Sequence, residues 1–264
     1  MHGWNPDPLE LSAVALVAAL YARRVWTLRQ RGRPVPRWRI ACFSAGLVVV
    51  LAALVSPIDT IGEERLFSVH MAQHLMLGDV APVLFVLGLT GPLLRPVLAL
   101  PIVGRLRALA HPLVALPLWA VDICAWHLPA AFDAALGNDT IHAFQHACFV
   151  VCGCLLWAAL LEPLPGPAWF TAAWRIPYVL VMWIVMLALS QVFIWSGHPY
   201  YDRYGLGDQQ AGGGVMLVES AFTMLPALVW ALFRVFRESE AKQQLLDAGV
   251  APAVAARSAR YGRA

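Results

Sequence analysis

The sequence predicts an all-α integral membrane protein: a bundle of seven transmembrane helices, N-terminus outside and C-terminus in the cytoplasm. Three observations carry that reading. First, 60% of the 264 residues are apolar and only 13% are charged, against about 45–50% and about 25% in soluble domains. The mean hydropathy of +0.65 agrees, and eleven Trp and eleven Phe suit a chain with two membrane interfaces to anchor. Second, seven stretches approach the roughly 20 apolar residues that cross about 30 Å of hydrocarbon. Third, the basic residues are distributed unevenly between the intervening loops. This composition excludes a disordered chain, a nucleic-acid-binding module and an ordinary cytosolic enzyme.

The first span, about Leu9 to Leu28, is the weakest, since its uncharged run from Leu11 to Ala22 is 12 residues long. Arg23 and Arg24 must snorkel toward the headgroups. Ile40 to Ile58, Thr140 to Leu161 and Ile176 to Gly197 contain no Asp, Glu, Lys or Arg. Leu66 to Leu94 is interrupted only by Asp79, and Gln209 to Phe233 only by Glu219. The stretch from Ala108 to Leu128 carries Asp122, Pro112 and Pro117, so a kinked helix is expected there.

Orientation follows from Arg and Lys in the short loops. With the N-terminus outside, 17 of the 19 basic residues are cytoplasmic, leaving only Arg65 and Arg203 outside. The first residues, MHGWNPDPLE, lack a basic n-region, so no cleavable signal peptide is expected. Residues 1–238 read as one membrane domain. Residues 239–264 read as a mostly flexible cytoplasmic tail, with a surface helix over Glu240 to Leu246 as the alternative. The only lysine is Lys242, so no span offers a Schiff-base amine, which excludes a retinal-type photoreceptor.

This topology sorts the eight histidines. His70 and His74 begin the third span, His142 and His146 begin the fifth, and His127 ends the fourth. His198 and His2 also lie outside, and only His111 is cytoplasmic. His70-Met-Ala-Gln-His74 and His142-Ala-Phe-Gln-His146 are both H-x-x-Q-H. Residues i and i+4 stand about 40° apart on one helical face, so each pair can present two imidazoles to one metal ion. Nitrogen-rich sites suit Zn and Cu(II), or a haem iron held from both sides. Gln73 and Gln145 are candidates for orienting the rings. The other reading of the same residues is an interhelical hydrogen-bond network that fixes packing.

Asp79, Asp122 and Glu219 lie at membrane depth, where a carboxyl must face the interior and find a partner. Asp79 points about 180° away from His70 and is expected to meet Asp122 or a neighbouring helix; a proton path is the alternative role. Cys42, Cys124, Cys148, Cys152 and Cys154 all fall within spans, where packing is the expected role and a Cu(I) relay the alternative. Met71 and Met76 are read in the same way. The outer loop from Gly197 to Gly214, with His198, Asp208 and Gln210, can cap the histidines, present them to a partner or simply re-enter the membrane. No nucleophile paired with a base, phosphate loop or nucleotide fingerprint is visible, so an enzyme is not expected.

Three ordered motifs between about Leu66 and Met224 resemble a known family. They are His70-Met-Ala-Gln-His74-Leu-Met-Leu, continuing to Ala81-Pro82 and Gly91-Pro92; Trp126-His127-Leu-Pro129 before the His142/His146 pair; and Asp208-Gln209-Gln210 with Gly213. Together they resemble the CtaG-type assembly factors of caa-type cytochrome c oxidases. Some relatives are fused to a copper-resistance membrane domain. The family pattern continues after the glycine with Met-Trp, where this chain has Met216-Leu217. The resemblance implies assembly of a haem-copper oxidase in a bacterial cytoplasmic membrane, with copper as the metal and His70, His74, His127, His142 and His146 as candidate ligands. It implies oxidase subunits as clients and a copper chaperone as a further partner. Two other classes remain open: a b-type haem or quinone-linked electron carrier, and a proton- or ion-coupled transporter using the three acids.

Overall fold

Nearly every apolar stretch becomes a helix within a few residues of its expected bounds. The computed structural model describes residues 8–101 and 107–261, and its regular elements there are all helical. His2, Arg105 and Arg263 lie outside the described residues. The first two spans are α1 (Pro8–Gln30) and α2 (Arg37–Val55). Ser56 then caps a short amphipathic helix, α3 (Pro57–Glu64), by accepting from Ile58 N.

The third span departs from a simple rod. It comprises α4 (Phe67–Leu75), one π-helical turn (Met76–Val80) and α5 (Ala81–Gly88). Pro82 explains the widened turn: it has no N–H for the Gly78 carbonyl, and its ring crowds that carbonyl. Thr90 restarts the chain as α6 (Gly91–Leu98), its hydroxyl accepting from Leu93 N at 3.4 Å.

The fourth stretch bends, but away from the expected prolines. Pro112 occupies the first turn of α7 (Pro112–Trp126), where a missing N–H costs nothing, and Pro117 stays inside the helix. The sharp bend of 72° falls between Trp126 and Pro129, where α8 (Pro129–Leu136) begins. Proline disfavours helical geometry in the residue before it, which ends α7 at that point. Asn138 caps α9 (Asp139–Leu161), which is followed by α10 (Ala172–Ile194) and α11 (Leu206–Asp247). Among the described residues, six helical stretches are long and apolar enough to cross a membrane, or seven when α7 and α8 count as one bent span.

Packing brings the histidine-bearing helices to the middle. Helix α9 lies against α5 and α7, α4 lies against α11, and α11 runs beside α10. Gly153 on α9 meets the Gly78 carbonyl of the π turn so closely that a Cβ would have no room. Gly213 likewise lets α11 approach the Ser190 carbonyl of α10. The core between these helices is built from Phe67, Met71, Phe132, Trp157, Met182 and Met216.

At the end away from the histidines, α11 runs on to Asp247 and α12 (Pro252–Tyr261) follows, so the described part of the segment after Ser239 is largely helical. Helix α12 folds back: Ala255 is buried, and Arg260 donates to the carbonyls of Pro167 and Ala168 at 3.0 and 2.8 Å. Glu162, left-handed at the end of α9 (φ 49°), accepts from Arg175 and Arg260, each at 2.5 Å.

Candidate metal centre

Spacing and topology together put the imidazoles in one buried cluster. One turn of α4 separates His70 from His74 and sets their ring centroids 4.1 Å apart; one turn of α9 sets those of His142 and His146 4.2 Å apart. The two helices face each other. The His70 and His142 rings stack at 5.5 Å, and His74 lies 5.6 Å from His146. His70, His74 and His142 each offer a ring nitrogen within 4.8 Å of the others, and all three side chains are buried. His146 packs on this triad, and His127 flanks it with its centroid 6.4 Å from that of His74. His198 is exposed beside Tyr200 and stays apart from the cluster, and His111 caps α7 at the opposite end.

The hydrogen-bond inventory shows what the rings lack. Both ring nitrogens of His70 and His74, and Nε2 of His127, His142 and His146, are buried without a hydrogen-bond partner among the described residues. A buried imidazole normally satisfies both nitrogens, and an unpaired polar atom costs about 1–3 kcal/mol. Two rings are oriented from behind. His142 Nδ1 lies 2.6 Å from a Glu63 carboxylate oxygen, and His127 Nδ1 lies 2.7 Å from the Ile123 carbonyl. Each contact engages Nδ1 and leaves Nε2 as the free lone pair, the arrangement that orients metal-ligating histidines.

Glu63 is the site residue the spacing did not show. It sits on α3, a helix too short to register as a span, seven residues ahead of His70. The one available signal was a Ser-Pro helix start followed by two acids beside a histidine motif. The glutamines, in turn, do not orient the rings. Gln73 donates to Asp59 at 2.7 Å and to the Ala53 carbonyl at 3.0 Å, joining α4 to α3 and α2. The buried Gln145 amide has no hydrogen-bond partner among the described residues.

The loop before α11 and the first turn of that helix fasten three pieces of the site. Asp208 accepts from the Phe67 and Ser68 backbone at 2.5 and 3.3 Å, capping α4. Tyr204 donates to the carbonyls of Gly62 and Glu63 at 2.8 and 3.0 Å, holding the end of α3. Tyr201 donates to the His127 carbonyl at 2.8 Å and stacks on Phe132. Burial pushes both phenols above their usual range, so they remain donors. Gln209 organises the loop, accepting from Tyr200 N at 2.9 Å and donating to the Tyr201 and Tyr204 carbonyls at 2.9 and 2.8 Å. Ser196 adds a short contact to the His198 carbonyl.

The three acids do not line up as one path. Asp79 accepts from Trp157 Nε1 at 2.6 Å and lies against Glu219 and Thr223 rather than Asp122. Asp122 accepts from Trp126 Nε1 at 3.1 Å and sits beside Cys152. All five cysteines are free thiols.

An all-helical, membrane-type bundle with a buried imidazole cluster at one end is the class of protein these observations define. The chain belongs to the family described as cytochrome c oxidase caa3 assembly factor (Caa3_CtaG), whose pattern matches residues 19–238. Among curated proteins, uncharacterized proteins of Mycobacterium bovis and Mycobacterium tuberculosis are each 27% identical over 261 residues, covering 86% of this chain and 38% of theirs. One of Mycobacterium leprae is 27% identical over 195 residues, covering 67% of this chain and 28% of its own. The chain thus spans well under half the length of these relatives. No solved structure matches it.

Proposed function

We propose that the chain is a membrane-embedded assembly factor for a haem-copper cytochrome c oxidase, and that it binds copper through His70, His74 and His142, with His146 and His127 beside them. The observation that carries this reading is the triad: three buried imidazoles from two facing helices with nitrogens within 4.8 Å, most of them lacking any hydrogen bond. Neutral imidazoles are good ligands for Cu and Zn, and membership of an oxidase assembly family favours copper between them. A small ion also fits the packing better than a porphyrin. The His70 and His74 rings touch each other, with Phe132 at 5.3 Å from one and Phe149 at 4.8 Å from the other, on flanks that a flat macrocycle would need.

The protein would sit in a bacterial cytoplasmic membrane as seven spans, N-terminus outside. The basic loops between α1 and α2 and between α6 and α7 support this orientation, since both lie at the end away from the histidines. The cluster then lies near the outer face, the side from which an oxidase subunit or a copper chaperone would approach. Copper here is cargo or a template for maturation of the client's metal centre. The chain itself would hold and orient the ion, with Glu63 and the Ile123 carbonyl setting two of the rings.

Metal analysis of purified protein tests the reading, comparing wild type with a His70→Ala/His142→Ala variant after copper loading and gel filtration. Copper retained by wild type and lost from the variant supports it. Equal, negligible copper in both overturns it.

A further inference from the structure

At the end opposite the histidines, a cavity of about 610 Å³ opens between α1, the following loop and α6. Four arginines line it, Arg24, Arg31, Arg33 and Arg95, and no carboxylate does so among the described residues. No ion pair among those residues involves any of the four. Arg24 spends one nitrogen on the Pro92 carbonyl, at 2.6 Å, while its Nε is buried without a partner. The first turn of α6, at Gly91 and Pro92, also borders the cavity and adds the positive end of a helix dipole. Four guanidinium groups with no carboxylate among them make this cleft favourable for an anion.

The surroundings identify the anion's source. Leu28, Leu98 and Leu164 complete the lining, so the basic rim stands over an apolar floor. Only 6% of the apolar window of α1 is buried against the rest of the chain, which leaves the other faces of that helix for lipid. Val17 and Leu20, 44% and 56% exposed, share a helical face with Arg24 and form an apolar track leading to it. Trp26 and Trp38 are exposed near the same end, as indoles are at headgroup depth.

We propose that this cavity binds the phosphate headgroup of an anionic phospholipid, with an acyl chain lying along Val17 and Leu20. Guanidinium pairs with phosphate oxygens through paired N–H donors, and the unpaired Arg24 Nε is one such donor.

Native mass spectrometry of the full chain, released from mixed micelles containing phosphatidylglycerol or phosphatidylcholine, tests the assignment. Wild type is expected to retain phosphatidylglycerol in preference to phosphatidylcholine. Arg31→Gln, Arg33→Gln and Arg95→Gln should each weaken retention about fivefold. A distant Arg237→Gln variant should change nothing. Inorganic phosphate at millimolar concentration should fail to displace the lipid. Equal retention of the two lipids, undiminished retention by the triple Gln variant, or displacement by phosphate alone would each overturn the proposal. If the triple variant is unstable, Arg33→Gln alone decides, since that side chain is exposed and makes no hydrogen bond in the described structure. The readout is independent of copper, so failure here leaves the histidine reading intact.

Discussion

The carboxylate of Glu63 lies 2.6 Å from Nδ1 of His142, while Nε2 of the same ring is buried with no partner. A short helix outside the main spans thus sets the ring direction on α9. Removing a carboxylate behind a metal-ligating histidine lowers metal affinity about 10–100-fold. Glu63→Gln should therefore weaken copper retention on that scale, measured by competition with a chelating dye, while the thermal midpoint moves little. Glu63→Asp should recover part of the affinity. Unchanged affinity in Glu63→Gln would show that the carboxylate does not support the site.

Gln73 and Gln145 occupy the same place in the two H-x-x-Q-H motifs but have opposite surroundings. Gln73 bonds to Asp59 and Ala53; Gln145 bonds to nothing. Losing a buried hydrogen-bond partner costs about 1–3 kcal/mol, whereas replacing an unsatisfied amide by an apolar group is near neutral or stabilising. Gln73→Leu should lower the thermal midpoint in detergent and Gln145→Leu should hold or raise it. Equal losses would contradict this account.

Asp208 reaches from α11 to cap α4, the helix that carries His70 and His74. Loss of a helix cap costs about 0.5–2 kcal/mol, and here the fraying would begin two residues from a histidine. Asp208→Ala should reduce both thermal stability and copper affinity. A stability loss with affinity untouched would mean that the cap supports the bundle but not the site.

Adjacent glycines on α11 offer an internally controlled pair. A Cβ on Gly213 would meet the Ser190 carbonyl at 2.8 Å and the Phe193 Cβ at 2.9 Å, whereas one on Gly214 would meet nothing within 4 Å. Overpacking costs about 1–3 kcal/mol, while alanine in an open helical position gains up to about 1 kcal/mol. Gly213→Ala should destabilise the bundle and Gly214→Ala should stabilise it, both read as shifts in the unfolding midpoint. The reverse order would refute the close contact between α10 and α11.

The helices were legible because hydrocarbon demands long apolar runs, and the cluster was legible because i, i+4 spacing and matched depth survive without coordinates. What escaped depends on which helices touch. Of the two partners expected for Asp79, Asp122 or a neighbouring helix, the structure gives the second: Asp79 lies against Glu219 on α11 and Trp157 on α9. Glu63 is not legible because a helix of 8 residues is too short to stand out as a span. Gln73 turns away from the rings because one residue of helix turns about 100°, enough to aim it at Asp59 of α3 instead of the ring at His74. The bend appeared at Trp126–Pro129 instead of Pro117 because a proline stops the helix before it more readily than it breaks a long one already packed.

The π turn at Met76–Val80 sets an angular phase. It lodges about one more residue than an α turn would, so the histidine half and the proline half of the third span keep facings that a uniform helix would deny them. Deleting one residue from this turn would swing one half by about 100° against the other. Either His70 and His74 would leave the facing pair, or Gly78 would leave its seat against Gly153. The span therefore behaves as two dials on one shaft, and its tolerance of insertions and deletions is a matter of rotation before it is one of length.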